Sequence, residues 1–173
     1  MIGGSAVITD CGRYRYRLTR HIGAGDRDCL FVMLNPSTAD AHVDDATIHR
    51  CMGYARAWRC HELVVVNLFA VRATDPKALY AAADPVGPDN MDHVKAAVEA
   101  VTFPTDPAVL AGLVVCAWGA HGAHMDQDET VLGWIEAAGG KPLCLARTKD
   151  GLPAHPLRLP KELVPFPYTG RTR

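Results

Sequence analysis

The sequence predicts an α/β fold, a three-layer α/β/α sandwich whose central sheet is mainly parallel and has about four strands. Short apolar runs at Leu30–Leu34, Leu63–Val66, Leu113–Ala117 and Pro142–Ala146 have the unbroken hydrophobicity of strands covered on both faces. Between them lie capped amphipathic segments of helical length, the alternation that builds a parallel sheet through right-handed crossovers. Each run also hands over directly to distinctive polar groups: Asn35, Asn67, Trp118 with His121, and the loop from Thr148 to His155. Sheets of this kind bind ligands beyond the carboxyl ends of their strands, near a reversal of strand order.

Taken in order, Ala6 to Arg20 reads as one or two strands around a turn at Asp10-Cys11-Gly12. Tyr14, Tyr16 and Leu18 alternate with Arg13, Arg15, Arg17 and Thr19, the period of a half-buried edge strand. The arginine face is read as solvated, with a phosphate-contacting face as the other reading. Gly23 to Asp26 turns the chain into Leu30–Leu34, which stops at Asn35-Pro36 because proline cannot continue a strand ladder. Ser37, Thr38 and Asp40 follow with turn and cap chemistry. Asp44 or Asp45 caps a helix to about Trp58, with Ile48, Cys51 or Met52, Ala55 and Trp58 on its apolar face. Asp75-Pro76 starts a short helix through Leu79, and Asp89 or Asn90 caps one reaching about Val101. Asp126 with Glu129 makes a capping box for a helix that ends at Gly139-Gly140. The proline-rich remainder reads as irregular structure on the surface. Without repeats, low-complexity segments or linkers, residues 1–173 form a single domain.

Composition narrows the function classes. A formal net charge of −1 gives no global positive field for nucleic acid, which leaves only a local basic patch to serve that purpose. The cysteines (Cys11, Cys29, Cys51, Cys60, Cys116 and Cys144) form no C-x-x-C pair, so zinc and iron–sulfur spacings are absent and no disulfide framework is expected. The N-terminus lacks a signal-peptide pattern, and no apolar run approaches membrane-spanning length. A monomer in the reducing cytoplasm, without a membrane partner, is the expectation.

The strand ends suggest a site. Asn35 and Asn67 each offer an amide oxygen and an NH₂ group, suited to a planar heterocycle or to holding a water, though neither is an acid or base at neutral pH. His155, held extended by Pro156, can donate to a carbonyl oxygen that gains negative charge. A metal reading through His42, Asp44, Asp45 and His49, or through His121 and His124, matches no recognised spacing. No nucleophile elbow, Walker loop or dinucleotide fingerprint is present.

The ordered set of strand ends resembles the uracil-DNA glycosylase superfamily. Leu34-Asn35-Pro36 resembles its first motif in the G-x-N-P form. Val64-Val65-Val66-Asn67-Leu68 is similar to the strand whose terminal asparagine reads the uracil edge. Cys116-Ala117-Trp118-Gly119-Ala120-His121 is similar to the L-W-G-x-H turn, and His155-Pro156-Leu157-Arg158-Leu159 resembles H-P-S-P-L. The chain also resembles an uncharacterised bacterial and phage domain family that carries N-P-S-T-A-D and a late H-P-L. The first resemblance implies a glycosylase-like fold and a monofunctional DNA base glycosylase that needs neither metal nor cofactor. Its substrate would be uracil or a related modified pyrimidine in single- or double-stranded DNA. Asn35 would position the attacking water and His155 would stabilise the departing base. Pro36, Ser37, Asn67, Trp118 and His121 would line the base site, Trp118 either packing beneath it or closing its wall. Lys149, Leu157, Arg158 and Leu159 would contact DNA, with Leu159 filling the vacated space beside Arg158. The chain departs from the family in lacking the G-x-D-P aspartate, in Met33-Leu34 replacing a small residue, and in Leu157-Arg158 replacing Ser-Pro. Those departures motivate an alternative, a non-catalytic or weakly catalytic nucleotide- or DNA-binding module. A metal-dependent nucleotide hydrolase is the third reading.

Overall fold

The computed structural model describes residues 3–171. In chain order they form β1 (Gly4–Ile8), β2 (Arg15–His21), β3 (Arg27–Met33), α1 (Ala46–Ala57), β4 (Cys60–Asn67), α2 (Pro76–Ala81), α3 (Asn90–Thr102), β5 (Leu110–Cys116), α4 (Gln127–Ala137), β6 (Pro142–Cys144) and β7 (Phe166–Pro167). Short 3-10 stretches span Ala120–Asp126 and Pro156–Arg158.

The sheet corrects the sequence-based architecture. It is seven-stranded and mixed, in the order β1-β2-β4-β3-β5-β6-β7, rather than a mainly parallel, glycosylase-like sheet of about four strands. β3 pairs in parallel with β4 and β5, and β5 with β6, whereas β1/β2, β2/β4 and β6/β7 are antiparallel. The arginine-rich segment was expected at an edge. Instead β2 sits between β1 and β4, with Leu18 opposite Val65 and Thr19 opposite Val64. The late tail adds β7, a two-residue strand too short to leave a sequence pattern.

β2 is bulged as well. Val7 pairs with Arg17 and Ile8 with Arg15, so three residues of β2 face two of β1. A bulge of this kind reverses the side to which the following side chains point. Tyr16 packs in the cluster with Val94 and Val98 of α3, while Leu18 packs with Ile48 and Cys51 of α1. Arg15 is turned to the α1 side, where it bonds the Ala39 carbonyl.

Alternate residues of the central strands feed cores on opposite faces, because successive strand side chains point opposite ways. Leu30, Val32, Val64, Val66 and Val114 pack against Val94, Val98 and Val101 of α3 and Val131 and Ile135 of α4. Cys29, Phe31, Leu63, Val65 and Val115 pack against Ile48, Cys51, Met52 and Ala55 of α1. Each such aliphatic or aromatic side chain contributes roughly 1.5–3 kcal/mol by leaving water.

The Asp45 carboxylate caps α1 by accepting from Ile48 N at 2.9 Å, and Asp75 caps α2 through Lys77 N at 2.9 Å. The expected capping box at α4 does not form. Asp126 adopts a left-handed backbone (φ 51°) and makes no side-chain cap, and the Asp126 and Glu129 carboxylates instead accept from Arg171 at 2.6 and 3.2 Å. Among the described residues no helix is long and apolar enough to cross a membrane.

Candidate functional site

The chain passes from β3 to β4 on one side, then crosses β3 to reach β5 on the other. That reversal opens a crevice at the carboxyl ends of the parallel strands. The crevice holds a cavity of about 320 Å³. Sheet order fixes the order of groups along its rim: Arg15 at the start of β2, Asn67 ending β4, Asn35 after β3, Trp118 and Gly119 after β5, and His155 beyond β6. Ser37, Asp45 and His121 complete the polar lining.

The two asparagines are held differently. Beyond β3 and β4 the backbone pairing continues, with Leu68 N donating to Met33 O at 2.9 Å and Phe69 N to Leu34 O at 3.0 Å. Asn35 follows, and its Nδ2 donates to the Ala73 carbonyl at 2.9 Å and the Pro36 carbonyl at 3.1 Å. Its amide oxygen therefore remains as the group available to a water or ligand. Asn67 is 1% exposed, and its Oδ1 accepts from an Arg15 terminal nitrogen at 3.4 Å. Its backbone carbonyl accepts from Asn90 Nδ2 at 3.0 Å. The Asn67 NH₂ group is left to the cavity.

His155 precedes the 3-10 turn, and its Nδ1 accepts from Leu157 N at 3.4 Å. This bond places the proton of the neutral ring on Nε2. Burial pushes the His155 pKa below its ordinary 6.5, against a pull upward from Asp45, so the ring is neutral at pH 7. Gly119 N donates to Pro153 O at 2.8 Å, which ties the β5 rim to the His155 loop. Gly119 takes φ 75°, and a Cβ there would lie 3.4 Å from the His155 Cβ.

The other expected residues divide into groups. Trp118 is 1% exposed; it packs edge-on to Tyr168 at 5.7 Å and lines the cavity. His121 is exposed at the mouth, its Nδ1 2.8 Å from the Tyr80 hydroxyl. Ser37 is on the wall, whereas Pro36 is buried and shapes the loop without lining the cavity. Lys149, Leu157 and Arg158 are exposed on the loops flanking His155. Leu159 instead packs against the α1-side core, so the projecting leucine is Leu157, not Leu159.

Sequence reasoning missed Arg15 and undervalued Asp45. The face expected to be solvated is so only in part: Arg13 is exposed and Arg17 half-buried, whereas Arg15 is 2% exposed and Thr19 is buried. Asp45 was anticipated as a cap; that it also lines the cavity follows from α1 beginning at the rim. The proposed metal cluster is taken up structurally. Asp44 pairs with Arg20 at 2.7 Å, Asp45 caps α1, and the described residues contain no group of three or more His, Cys, Asp or Glu side chains able to hold a metal.

The family model for protein of unknown function (DUF1643) matches residues 15–157, the span that contains every residue of the cavity lining, and the chain belongs to this family. No curated protein and no solved structure matches the chain.

Proposed function

We propose that this DUF1643 member is a DNA base glycosylase that hydrolyses the N-glycosidic bond of uracil or a related modified pyrimidine. The observation that carries the reading is the convergence of Asn35, Asn67 and His155 on one cavity at the strand ends. A base acted on at its glycosidic bond must leave the stack and be held in a pocket, and a recessed rim suits that need. The Asn67 NH₂ group meets a carbonyl of the ring. The Asn35 amide oxygen accepts from the attacking water. His155 donates a hydrogen bond from Nε2–H to the pyrimidine oxygen that gains charge as the C1′–N1 bond breaks, a contribution on the order of 10²–10³-fold in rate. The departing pyrimidine anion takes up the proton that the water loses as it forms the new C1′–O bond. One Asp45 oxygen caps α1 and the other offers negative charge to the electron-poor sugar.

Lys149 and Arg158 hold the phosphate backbone, and Leu157 enters the space left by the extruded base. The protein acts as a monomer without cofactor. A reducing, cytoplasmic location fits its free cysteines. Incubation with a uracil-bearing oligonucleotide, single- or double-stranded, followed by alkali, is expected to give strand cleavage that His155→Ala slows by about 10²–10³-fold. No release of uracil or its analogues in either strand context would overturn the hydrolytic reading. The binding-module alternative is favoured by Asn35 standing where a carboxylate base would serve better. It predicts salt-sensitive binding of the same oligonucleotide without cleavage.

A further inference from the structure

Arg15 is buried on the cavity wall without a carboxylate of its own. One terminal nitrogen donates to Ala39 O at 2.9 Å and the other to Asn67 Oδ1 at 3.4 Å, while Nε has no partner. Burial lowers its pKa to about 10, so the guanidinium still carries its charge at neutral pH. The charge of Asp45 across the cavity works against that lowering, but no carboxylate bonds the guanidinium, and a buried cation so weakly paired costs several kcal/mol. The β2 bulge is what aims the side chain at the cavity rather than at the α3 side.

The chemistry of the contact is one-sided. A primary amide can turn either its oxygen or its NH₂ group toward a ligand. A guanidinium has donors only, so it claims the amide oxygen and leaves the NH₂ group facing outward. The end of the cavity formed by β2 and β4 therefore offers donors and positive potential together.

We propose that Arg15 is the specificity-determining residue of the cavity, locking the Asn67 amide so that a ring oxo group is accepted and an amino group at the same position is refused. This rests on the base-binding reading above. An amino group brought against Asn67 Nδ2 and the guanidinium would leave donors facing donors in a buried space, which is how a polar site rejects a near-isostere.

The test is an NMR-monitored titration of free uracil and free cytosine into the full chain, as wild type, Arg15→Met and Arg15→Lys, with thermal melts confirming folding. Wild type is expected to bind uracil about tenfold or more tighter than cytosine. Arg15→Met brings the ratio to within about twofold, and Arg15→Lys, which keeps a donor-only cation, restores part of it. Equal weakening of both bases in Arg15→Met, with the ratio unchanged, overturns the proposal, as does wild type that binds neither base or fails to distinguish them. Arg15-dependent selectivity in a protein that releases no uracil from DNA upholds this inference and removes the hydrolytic one. Uracil release with selectivity unaffected by Arg15→Met does the reverse.

Discussion

At one end of β2, Arg20 donates through Nε to Asp44 at 2.7 Å and through its terminal nitrogens to the carbonyls of Thr19, Asp40 and Val43. At the other end Arg15 has the same 2% exposure, yet it has carbonyl and amide oxygens where Arg20 has a carboxylate, and its Nε is left over. Burial by itself therefore does not tell what an arginine is for. What separates the two is whether the surrounding chain satisfies the cation or leaves part of that task to something else. Both tie the loop before α1 to the sheet, Arg20 through Asp40, Val43 and Asp44 and Arg15 through Ala39, but only Arg15 also borders open space.

The largest effect that would sharpen this contrast is expected at Arg20. Arg20→Met strands the Asp44 carboxylate and should cost about 3–5 kcal/mol in urea unfolding, with little loss of turnover per folded molecule. If Arg20→Met unfolds no more easily than Arg15→Met, the division of labour along β2 is wrong. Next is His155→Ala, expected to lower uracil release by about 10²–10³-fold with a melting temperature close to wild type, since the ring bonds only its own turn. A comparable loss of stability would make His155 a structural residue.

Lys149→Ala and Arg158→Ala should each weaken binding of oligonucleotides of any sequence and reduce the slope of log affinity against log salt by about one. An unchanged slope would remove those side chains from the DNA-contacting face. The smallest effect concerns pH. Because the folded-state pKa of His155 lies below its ordinary 6.5, the unfolded chain binds more protons between the two values. Stability is thus expected to fall as pH drops through about 6.5 and to level off below the folded pKa. His155→Gln should flatten that part of the profile, and parallel profiles for the two proteins would contradict the assignment.

The local code carried much of the molecule. The runs that became β3 to β6 are apolar on both faces because helices cover both, and that is written in consecutive residues. Asp45 and Asp75 announce their helices for the same local reason. Asn35, Asn67 and His155 could be singled out because a strand that ends in an amide or leads to His-Pro is abrupt in sequence. What stayed hidden depends on distant partners. Nothing near Arg15 says that β2 will pair with β4, some fifty residues on, or that β7 will close the other edge. Alternation in the Tyr-Arg segment gives a period, but neither which neighbour covers each side nor where the period is broken. Leu159 misled for a related reason, since the core that receives it comes from α1 and β3.

The bulge in β2 has an evolutionary side. A single residue gained or lost there exchanges the inward and outward sets upstream of it while the pairing with β4 downstream stays intact. A sister lineage without the extra residue would keep the sheet but present a tyrosine in place of a cation to whatever the crevice holds. Insertion and deletion, more than substitution, are then the changes through which this scaffold would acquire or shed its appetite for a given ring.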